Sequence, residues 1–203
     1  MLKYLAGLFR RNAEPKPDQF SSAPLAVNTV AGGAKEAPAP ARREALRRFT
    51  RVATAHLDEA ERRRLMEVML ASFDRYGNSS EAFEEVALGK EGQAAGQWFV
   101  IQCDWKASEE VEWQVSEVAT GFGIPEPWSW GVGDEKARTV PGGLCEVAKW
   151  AAPLGFEMLH IDVGSDTYFA ILIKRNDAEG ACQAAASAGL KVLRTPEFEL
   201  SHA

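Results

Sequence analysis

Apolar positions recur along this chain with two different periods. From Ala41 onward Leu46, Phe49, Ala53 and Leu57 return every three or four residues, which predicts a helix with one buried stripe. Arg43, Arg47, Arg48 and Arg51 occupy the remainder of its circumference and make it a basic amphipathic helix. Asp58, followed three positions later by Glu61, is a capping pair for a second helix, whose stripe of Leu65, Val68, Met69, Phe73 and Tyr76 ends at Gly77. Ser80 to Leu88 gives a short third helix, and Gly89, Gly92 and Gly96 mark a joint. Residues 42–96 are therefore expected to form a small helical bundle.

Beyond Gly96 compact apolar runs replace that spacing. Strands are expected at Trp98 to Trp105, Phe156 to Val163, Thr167 to Lys174 and Lys191 to Thr195. Between the first two lies a helix from Glu109 to Phe122, with Ser108 at its start and a stripe of Val111, Val115, Val118 and Phe122. A long loop and a second helix, Gly142 to Ala152, follow it. Asp177 opens a third, Ala178 to Ala188, stopped by Gly189. Val163-Gly164-Ser165-Asp166 is a tight hairpin connection. This order predicts an α+β fold, a ferredoxin-like split β-α-β sandwich with an inserted helix, over residues 97–203.

In that arrangement the first and third strands are central neighbours, and the helices cover one sheet face. Alternation fills that face with Phe99, Ile101, Cys103, Leu159, Ile161, Val163, Phe169, Ile171 and Ile173. The other face carries Trp98, Val100, Gln102, Asp104, Met158, His160, Asp162, Tyr168, Ala170 and Leu172, and being half apolar it needs a cover. The N-terminal helices are the expected cover, with a partner protein as the alternative.

At 203 residues, 46% hydrophobic and 26% charged, the composition is that of an ordinary globular protein. No apolar run approaches the roughly 18 residues of a spanning helix. Cys103, Cys145 and Cys182 contain no C-x-x-C pair, which argues against a disulfide framework or a cysteine zinc site and makes the cytoplasm the expected compartment. Residues 1–41 hold Pro15, Pro17, Pro24, Pro38 and Pro40 with few large apolar groups, so a disordered N-terminal segment and linker is expected. Within it Leu2, Leu5, Leu8 and Phe9, with Lys3, Arg10 and Arg11, make residues 1–11 a candidate for peripheral membrane contact. Charge divides the chain: residues 1–64 carry 13 Lys and Arg against 7 acids, and residues 65–203 carry 10 against 22. The second half is strongly acidic.

Several constellations carry candidate chemistry. The topology brings Asp104, at the end of the first strand, toward Asp162 and Asp166 of the hairpin, where converging carboxylates suit Mg²⁺ and a phosphorylated substrate. The plainer reading is that Asp104 ends a strand and Asp166 makes a turn, since no Gly-rich phosphate loop accompanies them. Trp113 sits half a revolution from its helix stripe, and Trp128 and Trp130 lie in the Gly123 to Pro141 loop. All three are candidate partner-binding anchors, unless the loop rings fold back onto the core. An RNA-recognition reading fails on charge, because Asp104 and Asp162 share the face that would bind nucleic acid. The Arg43, Arg47, Arg48 and Arg51 helix keeps the option of touching phosphates or acidic lipid, against the plainer readings of a solvated face or one that docks on the acidic sheet domain. Cys145 and Cys182 read as small buried hydrophobes, and Cys103 is expected to face away from His160.

The run Asp104-Trp105-Lys106 with its following acidic helix, the Trp128-Ser129-Trp130 loop, and the Asp162-x-x-x-Asp166-x-Tyr168 hairpin together resemble an uncharacterised bacterial family, a domain of unknown function, over about residues 97–195. The resemblance implies one domain type and carries no activity or cofactor across. The expectation is a non-enzymatic protein-binding or regulatory module, of inhibitor or immunity type, with no cofactor. The alternatives are a Mg-dependent nucleotide-binding or phosphoryl-transfer domain using Asp104, Asp162 and Asp166, and an accessory protein tethered to a membrane surface by its N-terminus.

Overall fold

Local chemistry marks the ends of the first three helices. In the computed structural model, which describes residues 37–126, 128–131 and 138–202, α1 spans Ala39–Ala53 with Pro40 in its first turn, where the missing N–H costs nothing. α2 spans Glu59–Tyr76; the Asp58 carboxylate accepts the Glu61 N–H at 2.8 Å, and Gly77 closes it at φ 67°. α3 spans Ser79–Leu88 and is capped by Asn78. There follow β1 (Ile101–Asp104), α4 (Glu110–Gly121), α5 (Val140–Ala151), a 3-10 turn at Ala152–Leu154, β2 (Phe156–Asp162), β3 (Thr167–Lys174), α6 (Arg175–Ala188), β4 (Lys191–Arg194) and α7 (Thr195–Ser201). The amphipathic segment 1–11 and nearly all of the expected linker lie outside the described residues.

The fold is α+β, with seven helices and a four-stranded sheet among the described residues. The strands run β1-β3-β2-β4, each antiparallel to its neighbours. The split β-α-β connection is present twice, from β1 to β2 across β3 and from β3 to β4 across β2. Here the strand order departs from the expected one: β1 is beside β3 but at an edge, and the hairpin β2–β3 is central. The helices explain the departure. Both crossovers run in the same direction along the sheet but leave from antiparallel strands, so equal handedness places their helices on opposite faces. Ala178, Ala181, Ala185 and Ala188 give α6 a small-residue row that packs closely on α1, and the Ser79 hydroxyl donates to the Ala188 carbonyl at 2.6 Å. With α6 held on the α1 side, β4 falls beyond β2.

Two cores result. Leu159, Ile161, Phe169, Ile171 and Ile173 meet α1, α2, α3 and α6, with Phe83 at the centre of Phe49, Phe99 and Phe169. Met158, Ala170 and Leu172 meet α4, α5 and α7. Alternation in β2 and β3 is as expected, but the covers are exchanged: the N-terminal helices join α6, and α4, α5 and α7 close the face expected to be open. β1 is also one residue out of phase. Ile101 pairs with Ala170 and Cys103 with Tyr168, so both face α4 and α5. Phe99 and Val100 both pack into the other core, and this break in alternation hides the phase from a continuous apolar run. The described residues all belong to one compact unit.

Candidate functional site

The most varied set of side chains gathers where α7 lies over β2 and β3. His160 of β2 shares a sheet face with Asp162, two residues on, and α7 lays Phe198 flat on the His160 ring at 3.8 Å between centroids and 4° between planes. The His160 Nε2 is 3.3 Å from the Thr195 hydroxyl, and its Nδ1 is buried without a partner. Burial holds this imidazole neutral, lowering its pKa to about 3, with the neighbouring His202 acting in the same direction. Tyr168 meets Phe198 edge-on at 6.0 Å and His202 at 5.3 Å. The Ser201 hydroxyl and the His202 Nδ1 lie within 2.9 Å of each other, and both engage the Phe198 carbonyl, so they cap the end of α7.

Clefts open on both sides of Tyr168 and His202. One, of about 590 Å³, is lined by His160, Asp162, Asp166, Lys191 and Phe198. The other, of about 680 Å³, is lined by Cys145, Glu146, Lys149 and Glu199. Trp105 lines both. It is 54% exposed, and the Lys106 ammonium stands 4.5 Å from the centre of its ring.

The three carboxylates singled out from sequence do not assemble. Asp104 is exposed, its Oδ1 accepting the Lys106 N–H at 3.0 Å. Asp162 accepts the Gly164 N–H at 3.0 Å and ion-pairs with Lys191 at 2.6 Å, which holds its carboxyl below the usual range. Asp166 shares the cleft with Asp162, and its carbonyl accepts the Trp105 N–H at 3.3 Å. Among the described residues no three His, Cys, Asp or Glu side chains are placed to hold a metal ion.

Two of the three candidate tryptophan anchors point inward. Trp128 is 6% exposed and belongs to the α4–α5 core. Trp130 is half-buried, 5.0 Å from Trp128, and lies over Gly143, where a Cβ would come within 2.6 Å of its ring. The apolar gap between α4 and α5 draws both rings in, and Gly143 leaves room for them. Trp113 is 46% exposed and packs edge-on against Trp98 at 5.0 Å.

The phase of β1 also places Cys103 and His160 on one face, correcting the expectation that they face apart, yet no bond among those described joins them. Burial pushes the Cys103 thiol up to about 12 and raises Cys145 and Cys182 as well. In α1, Arg43 grips Asp74 of α2 through two bonds, 2.7 and 2.9 Å, and Arg47 lies 3.1 Å from Glu44. Arg43, Arg47 and Arg51 wall a groove between α1 and α2. Arg48 does not line that groove and is exposed.

Phe198 and His202 escape a reading by periodicity because α7 is too short to show one, whereas Trp105, just after β1, is legible only as the end of an apolar run. The signal of α7 is Thr195-Pro196-Glu197: Pro196 stands in the first turn, and the Glu197 carboxylate accepts the Arg194 N–H at 2.9 Å.

The site thus belongs to an α+β domain layered helix, sheet, helix, with an aromatic and carboxylate-bearing cleft beside its last helix. The chain is a member of the family described as Domain of unknown function (DUF6630), whose model matches residues 28–196. That match takes in α1 to α3, which the sequence resemblance left out. No curated protein and no solved structure matches the chain. Among the described residues no helix is long and apolar enough to cross a membrane.

Proposed function

We propose that this domain is a protein-binding module that receives a basic segment of its partner at the paired clefts around Trp105. The observation that carries the reading is a tryptophan more than half exposed on a carboxylate-rimmed, aromatic surface. Large aromatics at the centre of a concave patch are the usual anchors of protein interfaces. Charge sets the sign of the partner. Lys191 is engaged by Asp162 and Lys149 by Glu199, whereas Asp166 and Glu146 have no ion pair among the described residues. Lys106 over Trp105 is an internal example of the contact a partner's Lys or Arg makes with that ring. The acidic balance of residues 65–203 favours the encounter at a distance. The detuned groups support binding over covalent catalysis: raised thiols are poor nucleophiles, and a histidine neutral down to about pH 3 is a poor proton donor near neutrality.

Calorimetric titration with a peptide of alternating lysine and leucine tests the reading. Binding is expected to weaken with added salt and to fall roughly thirtyfold in Trp105→Ala, a loss of about 2 kcal/mol at an anchor. Equal binding by Trp105→Ala, or equal binding of a glutamate-leucine peptide, overturns it.

A further inference from the structure

The groove between α1 and α2 has no part in that reading and lies across the sheet from α7. Its volume is about 670 Å³, within the range of small-ligand sites. Five arginines wall it: Arg43, Arg47 and Arg51 from α1, Arg62 and Arg63 from α2. Every cation of the lining is an arginine, the side chain whose planar fork matches phosphate oxygens two at a time. Three acids share the lining. Asp74 is taken by Arg43 and Glu59 by Arg63, which leaves Glu67. Arg47 has Glu44 beside it, but its buried Nε makes no aligned hydrogen bond. Arg62 holds a buried Nε with no acceptor at all, and Arg51, exposed, has no described partner. A buried guanidinium N–H without an acceptor is an expensive arrangement that a bound anion relieves. The rest of the lining is Met66, Leu70, Ala71 and Thr54, a largely apolar floor with no aromatic ring on which a base of single-stranded nucleic acid would stack.

We propose that this groove is a binding site for a small phosphorylated molecule with an apolar body. Its phosphates bridge Arg51, Arg62 and Arg47, and its apolar part rests on Met66 and Leu70. The recessed floor favours such a ligand over a membrane surface, which requires apolar groups that protrude.

Thermal melting of the full chain with inorganic pyrophosphate, and separately with metal-free ATP, tests the site, with sodium chloride at matched ionic strength as the reference. Both probes are expected to raise the melting temperature beyond the salt reference. Titration calorimetry is expected to show a loss of affinity of roughly tenfold or more in Arg51→Gln and in Arg62→Gln, and none in Arg48→Gln, which removes equal charge outside the groove. Arg51 is exposed, so its variant keeps the test valid if Arg62→Gln destabilises the fold. Three results overturn the proposal: no rise above the salt reference, undiminished binding in Arg51→Gln, or sedimentation with phosphatidylglycerol vesicles by a chain that ignores both soluble probes.

Discussion

Phe83 decides whether the helical region and the sheet are one cooperative structure. It belongs to α3, is fully buried, and sits 5.7 Å from Phe169 of β3 and 6.3 Å from Phe99, both edge-on, and 6.4 Å from Phe49 of α1. Phe83→Ala removes a ring from a filled core, a change that costs about 3–5 kcal/mol. The aromatic contacts, worth about 0.5–1.5 kcal/mol each, place it in the upper half of that range. For a unit of this size the melting temperature is expected to fall by roughly 8–20 °C, at about 2–4 °C per kcal/mol. The chain provides the assay. All six tryptophans lie between Trp98 and Trp150, and the helices of residues 39–88 have none, so fluorescence reports the sheet, α4 and α5 while far-ultraviolet dichroism reports all helices. In urea both signals are expected to shift to the same lower midpoint in Phe83→Ala. A dichroism transition that moves while the fluorescence midpoint stays in place refutes a shared core and makes residues 42–96 a separate folding unit.

Trp128→Ala is expected to cost about 3–5 kcal/mol by urea denaturation, and Trp113→Ala, half exposed against Trp98, no more than about 1.5 kcal/mol. Gly143→Ala forces a methyl group against Trp130 and is expected to destabilise by about 1–3 kcal/mol, visible as a lower melting temperature and an altered tryptophan emission. For His160 the folded pKa of about 3 lies below the unfolded 6.5, so as pH falls the unfolded chain takes the proton first. Stability is then expected to drop by about 1.4 kcal/mol per pH unit between roughly pH 6 and pH 3.5, with a shallower slope in His160→Phe.

Helices whose caps and stripes are local read directly from sequence: Asp58 before α2, Gly77 after it and Gly189 after α6 stand where their chemistry puts them. The hairpin and the alternation of β2 and β3 were equally legible, because their polar and apolar positions differ. What was hidden depended on partners far along the chain. The phase of β1 is invisible in a run where Phe99, Val100 and Ile101 are all buried. The position of β4 depends on which sheet face α6 chooses, a choice made by contact with α1 and absent from either segment alone. Trp128 and Trp130 look like exposed loop rings until Gly143 is seen to receive one of them. The aspartates were brought near the right end of the sheet, but the Lys191 that engages Asp162 is 29 residues away.

The outer side of β1 has a further consequence. A sheet that ends in a free strand offers a row of unmet amides to any other extended chain. Here two glutamine side chains stand in for the missing neighbour. The Gln114 carboxamide accepts the Gln102 N–H and donates to the Gln102 carbonyl, both at 2.7 Å. Gln93 accepts the N–H groups of Phe99 and Val100 at 3.2 Å and donates to the Val100 carbonyl at 3.1 Å. The polymerising edge is thereby terminated by primary amides that mimic peptide bonds without continuing them. Strand addition at this border would first have to displace buried Gln114, so chain-to-chain stacking through β1 is blocked.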